Sequence, residues 1–138
     1  MALSAGVANS YKQEVLTGVH TDTDSYKIAL YPSSASYGPT SKIYSTTGES
    51  TGVGYVAGGN VLTGFAASGS GAVARLDFAS TSWPSATITA RGAVIYNASK
   101  GNRIVAVLDF GTDVSSTSGT FQVSMPSAGD TTSLIRIA

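Results

Sequence analysis

Two long runs rich in β-branched and aliphatic residues, 86–97 and 103–110, stand on either side of the polar stretch Ala98-Ser99-Lys100-Gly101. Only a hairpin joins two such strands over so few residues. In the second run Ile104, Ala106, Leu108 and Phe110 share one face, while Arg103, Val105, Val107 and Asp109 share the other. Apolar residues on both sides predict that both faces are partly covered. Tyr26, Ile28 and Leu30 alternate with Lys27, Ala29 and Tyr31, and Phe121, Val123 and Met125 alternate with Thr120, Gln122 and Ser124. Those two strands are expected to bury one face only. Runs at 60–66, 72–78 and 132–137 raise the number of predicted strands to seven. No strand alternates with a helix as a parallel sheet requires. The expectation is a mostly β fold, an antiparallel β-sandwich or compact barrel of about seven to eight strands.

One short N-terminal helix precedes the strands. Ser10 and Gln13 have capping-box spacing, Tyr11, Val15 and Val19 form a stripe, and Gly18 ends the helix. A helix this short must lay its stripe against the domain's own sheet or a neighbouring chain, which makes Tyr11 and Val15 candidate interface residues. Residues 1–8 carry no charge and read as an N-terminal arm that takes shape on a neighbour, with 9–138 as a single β-rich domain. The stretches 32–58 and 113–118 read as surface loops. Tyr37, Tyr44 and Tyr55 are spaced along the first and Trp83 lies further on. Together they could form a stacking platform for a carbohydrate or receptor.

Composition removes whole classes of chemistry. Lys and Arg total 8 against 8 Asp and Glu, so no basic face for nucleic acid can be assembled. The absence of cysteine excludes disulfides and thiolate chemistry, and one histidine leaves metal or nucleophile chemistry a single residue deep. No cofactor or metal is expected. The longest aliphatic run is five residues, 104–108, far short of the roughly 20 that span a bilayer. No membrane partner is expected, and residues 1–6 lack a signal peptide's pattern, so a cytoplasmic setting is expected. With 21 Ser and 16 Thr, the chain is polar but weakly charged.

Several short motifs are better read structurally. Asp109-Phe110-Gly111 spells a kinase triplet without the rest of a kinase, and reads as a strand end. Asp22-Thr23-Asp24 opens like a calcium loop but lacks the later ligands, and reads as a turn. The glycines of 52–59 sit between no strand and helix and cradle no phosphate; they allow tight turns. His20 reads as a helix-end histidine. Asn97-Ala98-Ser99 matches a glycosylation acceptor but falls at the hairpin corner. Arg75, Arg91, Arg103 and Arg136 all lie in predicted strands, where they could pair with Asp77, Asp109 or a neighbouring subunit; Arg91 and Arg136 join the candidate interface.

The chain from Asn9 onward resembles a family of small structural proteins of tailed bacteriophages. The matching segments begin with Asn9-Ser10-Tyr11-Lys12-Gln13-Glu14-Val15-Leu16-Thr17-Gly18-Val19-His20, Tyr26-Lys27-Ile28-Ala29-Leu30-Tyr31, and Thr46-Thr47-Gly48-Glu49 with Gly54-Tyr55. They continue with Ala86-Thr87-Ile88-Thr89-Ala90-Arg91-Gly92-Ala93-Val94-Ile95-Tyr96-Asn97, Ala106-Val107-Leu108-Asp109-Phe110-Gly111 and Leu134-Ile135-Arg136-Ile137. The resemblance implies a non-enzymatic virion component, a capsid decoration or cement protein on the capsid surface. Its partners would be the major capsid protein and itself, as a homotrimer. A tail or head-to-tail connector protein, or a carbohydrate- or receptor-binding module on the virion, is the alternative.

Overall fold

The computed structural model of the chain describes residues 3, 5–70, 73–125 and 134–137. Its elements run β1 (Gly6–Val7), α1 (Asn9–Leu16), β2 (Tyr26–Tyr31), β3 (Asn60–Val61), β4 (Ala66–Ser70), β5 (Val73–Asp77), β6 (Thr81–Asn97), a 3-10 turn (Ala98–Lys100), β7 (Arg103–Val123) and β8 (Ile135–Ile137). The five-stranded sheet has the order β1-β7-β6-β2-β3 and the three-stranded sheet β4-β5-β8, every pair antiparallel. The architecture is therefore the two-sheet one of the pair expected, and not a closed barrel.

The hairpin forms where the sequence places it. Asn97 closes its corner by accepting the Ser99 N–H, and Gly101 supplies the left-handed residue that returns the chain. Both arms are far longer than expected. β6 extends back to Thr81 because Pro84 and Ser85 are absorbed as a bulge between the pairs Trp83–Phe121 and Ala86–Gly119. β7 runs without a break through 113–118, which corrects the expected loop there and joins the run 103–110 to the expected strand of Phe121 and Val123, ending at Val123. A ladder needs backbone groups, not apolar side chains, so a hydroxyl-rich stretch can occupy it. Thr89 and Ser115 bond at 2.9 Å, and the Ser116 hydroxyl donates to the Ala86 carbonyl.

This ribbon bends sharply. Phe110 and Phe121 lie on the same strand with ring centroids 6.4 Å apart, whereas a straight strand would hold them about 36 Å apart. Register shifts at Ala86/Ile88 and Ala90/Gly92 accumulate the curvature. Both halves of the ribbon thus feed one core, with Trp83, Ile88 and Phe121 from one half and Val94, Ile95, Ile104 and Val105 from the other. β2 is buried on both faces apart from Lys27, which corrects its expected one-sided burial. Tyr26 packs against Phe65 and Phe78 beside the small sheet, while Tyr31 meets Tyr37 of the long loop.

Two other expectations need revision at the N-terminal end. α1 begins at Asn9 with Ala8 as N-cap and no side-chain cap, so Ser10 sits inside the helix with its hydroxyl buried and unpartnered. Backbone anchoring overrides the capping box: the Ala8 N–H donates to Val105 and the Asn9 N–H to Pro39. The helix stops at Leu16 with Thr17 as its C-cap, and Gly18 closes it in a Schellman motif whose bonds run from Gly18 to Val15 and from Val19 to Glu14. Of the segment expected as an arm, Gly6 and Val7 pair with Val107 and Ala106, and Leu3 is buried. The fold itself holds these residues without a neighbour. The run expected at 60–66 is split, with β3 ending at Val61, β4 starting at Ala66 and Gly64 at φ 69 between them. Positions 72 and 132–133 of the remaining runs lie outside the described residues.

Gly59 is the tightest point of the long loop, with φ 74 and the Ile28 carbonyl oxygen 1.8 Å from where a Cβ would stand. Gly101 has a similar φ but open space around it. Gly59→Ala is expected to cost about 3 kcal/mol or more in urea unfolding, against about 1 kcal/mol for Gly101→Ala, which pays only the left-handed backbone cost.

Candidate interaction site

α1 stands on β7, tied by the Ala8–Val105 backbone bond and by Arg103 donating to Glu14 at 2.7 Å. Its far flank does not close onto the small sheet. Between them runs an apolar groove lined by Val7, Tyr11, Val15, Leu16 and Ile135, with Lys12 and Arg136 on its border and a volume near 330 Å³. A second hollow of about 210 Å³ shares Tyr11, Val15 and Ile135 with the groove and is also lined by His20, Tyr26 and Phe65. Leu16 is 87 % exposed at the groove's edge.

The structure divides the eight candidate interface residues. Tyr11, Val15 and Arg136 come together on the groove. Arg91 is elsewhere, its Nε 2.9 Å from Asp109 across the ribbon. The expected aromatic platform does not assemble. Trp83 belongs to β6 and is buried beside Phe121 and Tyr55. Tyr37 packs on Tyr31, and Tyr44 stacks flat on Tyr96 at 4.1 Å. These rings are half-buried or buried, and they fasten the long loop to the sheet.

Glu49 organises that loop. Its carboxylate accepts the hydroxyls of Tyr55 and Tyr44 at 2.7 and 2.9 Å and the Gly58 N–H at 2.9 Å. The Tyr55 oxygen in turn accepts the Leu30 N–H. Burial above all, and Glu49 beside it, push the Tyr44 hydroxyl up, so it serves as a neutral donor.

A second polar chain lies under α1. His20 Nε2 is 2.8 Å from Glu14, and its Nδ1 is 3.0 Å from Asn97 Nδ2. Asn97 Oδ1 is committed to the Ser99 N–H and its Nδ2 also donates to Asp24, which fixes the amide's orientation. His20 Nδ1 must then be the acceptor and Nε2 the donor to Glu14. Lys100 reaches both oxygens of Asp24 at 2.8 and 2.9 Å. Every member holds another in place. Asp22-Thr23-Asp24 forms the expected turn, with the Thr21 N–H on Asp24, and no cluster among the described residues could hold a metal ion.

The groove's other walls escape sequence reasoning. Leu16 lies off the Tyr11–Val15–Val19 stripe, and an apolar residue at the wrong angle of a helix is the one signal that marks it. Ile135 gives no such signal, because only the tertiary fold brings β8 to α1. Val53 and Val56, 73 % and 77 % exposed, likewise stand out only once the loop's path is known. Comparison with protein-family models, curated proteins and solved structures finds no match.

Burial alone would raise the Asp24 carboxyl, but hydrogen bonds from Lys100, Asn97 and Thr21 hold it well below its ordinary 3.8. Glu14 is likewise raised by burial and lowered more by His20 and Arg103, below 4.5. Carboxyls depressed by folding add stability above their unfolded-state values and lose it as the pH falls past them. The melting temperature should therefore fall on acidification below about pH 4.5. Asp24→Asn should lower it by roughly 5 °C at pH 7 and flatten the acid decline, as calorimetry across pH would register.

Proposed function

We propose that this chain is a structural component of a tailed-bacteriophage virion, a capsid decoration or cement protein that binds the major capsid protein as a homotrimer. What supports the reading is where the polar groups go. Glu14, His20, Asp24 and Glu49 are engaged in bonds that hold the fold, while an apolar groove at α1 is left for contact. Such a module suits attachment through shape and apolar area rather than through charge. The segments that resemble small phage structural proteins include α1 and Leu134-Ile135-Arg136-Ile137, which supply the groove's walls apart from Val7. Many copies on a lattice would add weak contacts through multivalency.

Attachment of this kind should survive salt. Shells carrying the protein are expected to retain it at about 1 M salt, where the Debye length is roughly 3 Å, as co-sedimentation would record. Shells lacking it should lose integrity on heating before complete ones do. Release by salt would overturn apolar attachment, and density for the chain away from the shell in an electron-microscopy map would overturn the capsid location.

A further inference from the structure

The apolar groove beside α1 lies along a sheet edge. It touches Ile135 and Arg136 of β8 but no residue of β5, the strand that β8 pairs with. Consecutive residues of a strand point to opposite faces, so a hollow that reaches both without reaching β5 runs beside the strand and not over one face of it. β8 is the last strand in the order β4-β5-β8, and among the described residues no strand pairs with its outer side. Backbone groups alternate in direction along an antiparallel strand, so some of β8's N–H and C=O groups face this groove.

An added strand needs two things from its host: open backbone groups for a ladder, and hollows that take every second side chain. The groove supplies both. Across from the β8 edge stand Val7, Tyr11, Val15 and Leu16, apolar surface for the side chains on one face of such a strand. The charges there have one sign. Lys12 and Arg136 border the groove and Arg75 lines the adjoining hollow, while among the described residues no Asp or Glu lines either. In a chain with 8 Lys and Arg against 8 Asp and Glu, cations gathered without an acid select an anionic occupant. Arg136 already has a partner within the chain, and a guanidinium has donors enough to serve a second. The other edge of the same sheet, β4, is Ala-Ala-Ser-Gly-Ser and uncharged, so a second copy offers no acidic strand from there.

We propose that the groove takes an extended segment of another protein, which adds as a strand to the edge of β8, seats apolar side chains against α1 and sets carboxylates on Lys12 and Arg136. The assignment rests on the reading above that this groove is the attachment surface, and it names the kind of segment the shell protein would supply. Backbone bonds to β8 hold the strand, and the groove and its cations choose its sequence.

A synthetic peptide of about ten residues, in which valine alternates with serine and aspartate, is the probe. Titrated into the isotope-labelled chain, it should bind with a Kd below about 1 mM and shift the amide resonances of 11–16 and 134–137. Backbone N-methylation of one alternate set of its residues should weaken binding about tenfold or more, and methylation of the other set should not, because only one edge of an added strand faces β8. Lysine in place of aspartate should weaken binding to the wild type and strengthen it to Lys12→Glu. Leu16→Asp, at a position 87 % exposed, should lose the peptide and keep the wild-type melting curve; if the curve shifts, the charge swap at Lys12 decides. No binding at about 1 mM, equal effects of the two methylated sets, or a charge preference that Lys12→Glu leaves unchanged would each overturn the strand. So would displacement of the peptide by dodecanoate at a lower concentration, which marks a site for amphiphiles. Shell binding is scored separately: a chain that coats shells but ignores the peptide loses this occupant alone, and one that binds the peptide but never a shell loses the virion reading alone.

Discussion

The structure depends on the backbone ladder between Thr81–Asn97 and Arg103–Val123. It is the longest antiparallel pairing in the chain, and its bulges let one ribbon supply both sides of the core. Once the ribbon curls, Trp83 and Phe121 face the same interior as residues from the hairpin's other end. β2 then needs only to lie along β6 for its apolar positions to be sealed. The small sheet, α1 and the long loop are additions to this bent ribbon, fixed by side chains more than by ladders.

Those additions explain how the few charges are used. The chain has 16 formally charged side chains by its counts of 8 and 8, and the best-connected of them tie irregular backbone to the ribbon. Glu49 gathers the loop through two phenols and an amide. Asp24 joins the turn before β2 to the hairpin corner through Lys100 and Asn97. Each carboxylate satisfies groups that a loop would otherwise bury unpaired, and half-satisfied groups of that kind are costly. The exterior is left hydroxyl-rich with isolated apolar patches.

Much of this plan could be read from residue order. The hairpin at Ala98-Ser99-Lys100-Gly101, the β2 run and the Tyr11–Val15 stripe rest on local periodicity, and local periodicity survives folding. The stretch 113–118 was illegible for a physical reason, since Ser and Thr on an exposed ribbon carry no burial signal. Pro84 usually ends a strand, and only the partner strand shows that a bulge can absorb it. The tyrosines were misplaced because an aromatic in a loop reads alike whether it faces solvent or a buried carboxylate. The groove was half legible: Tyr11 and Val15 were visible on their helix, but β8 reaches them through long-range topology.

One side chain at the hairpin corner constrains how the protein can be made. Asn97 has no exposure, and its Nδ2 is bonded to Asp24 and lies against His20. That nitrogen is the atom an N-linked glycan would occupy, and Asn97-Ala98-Ser99 is an acceptor sequence. A sugar added to the nascent chain in a secretory compartment would have to sit where Asp24 and the imidazole meet. Folding and glycosylation at this residue exclude each other, so an expression host that exports the chain through such a compartment divides its yield between a folded unmodified product and a glycosylated one that cannot close its hairpin corner.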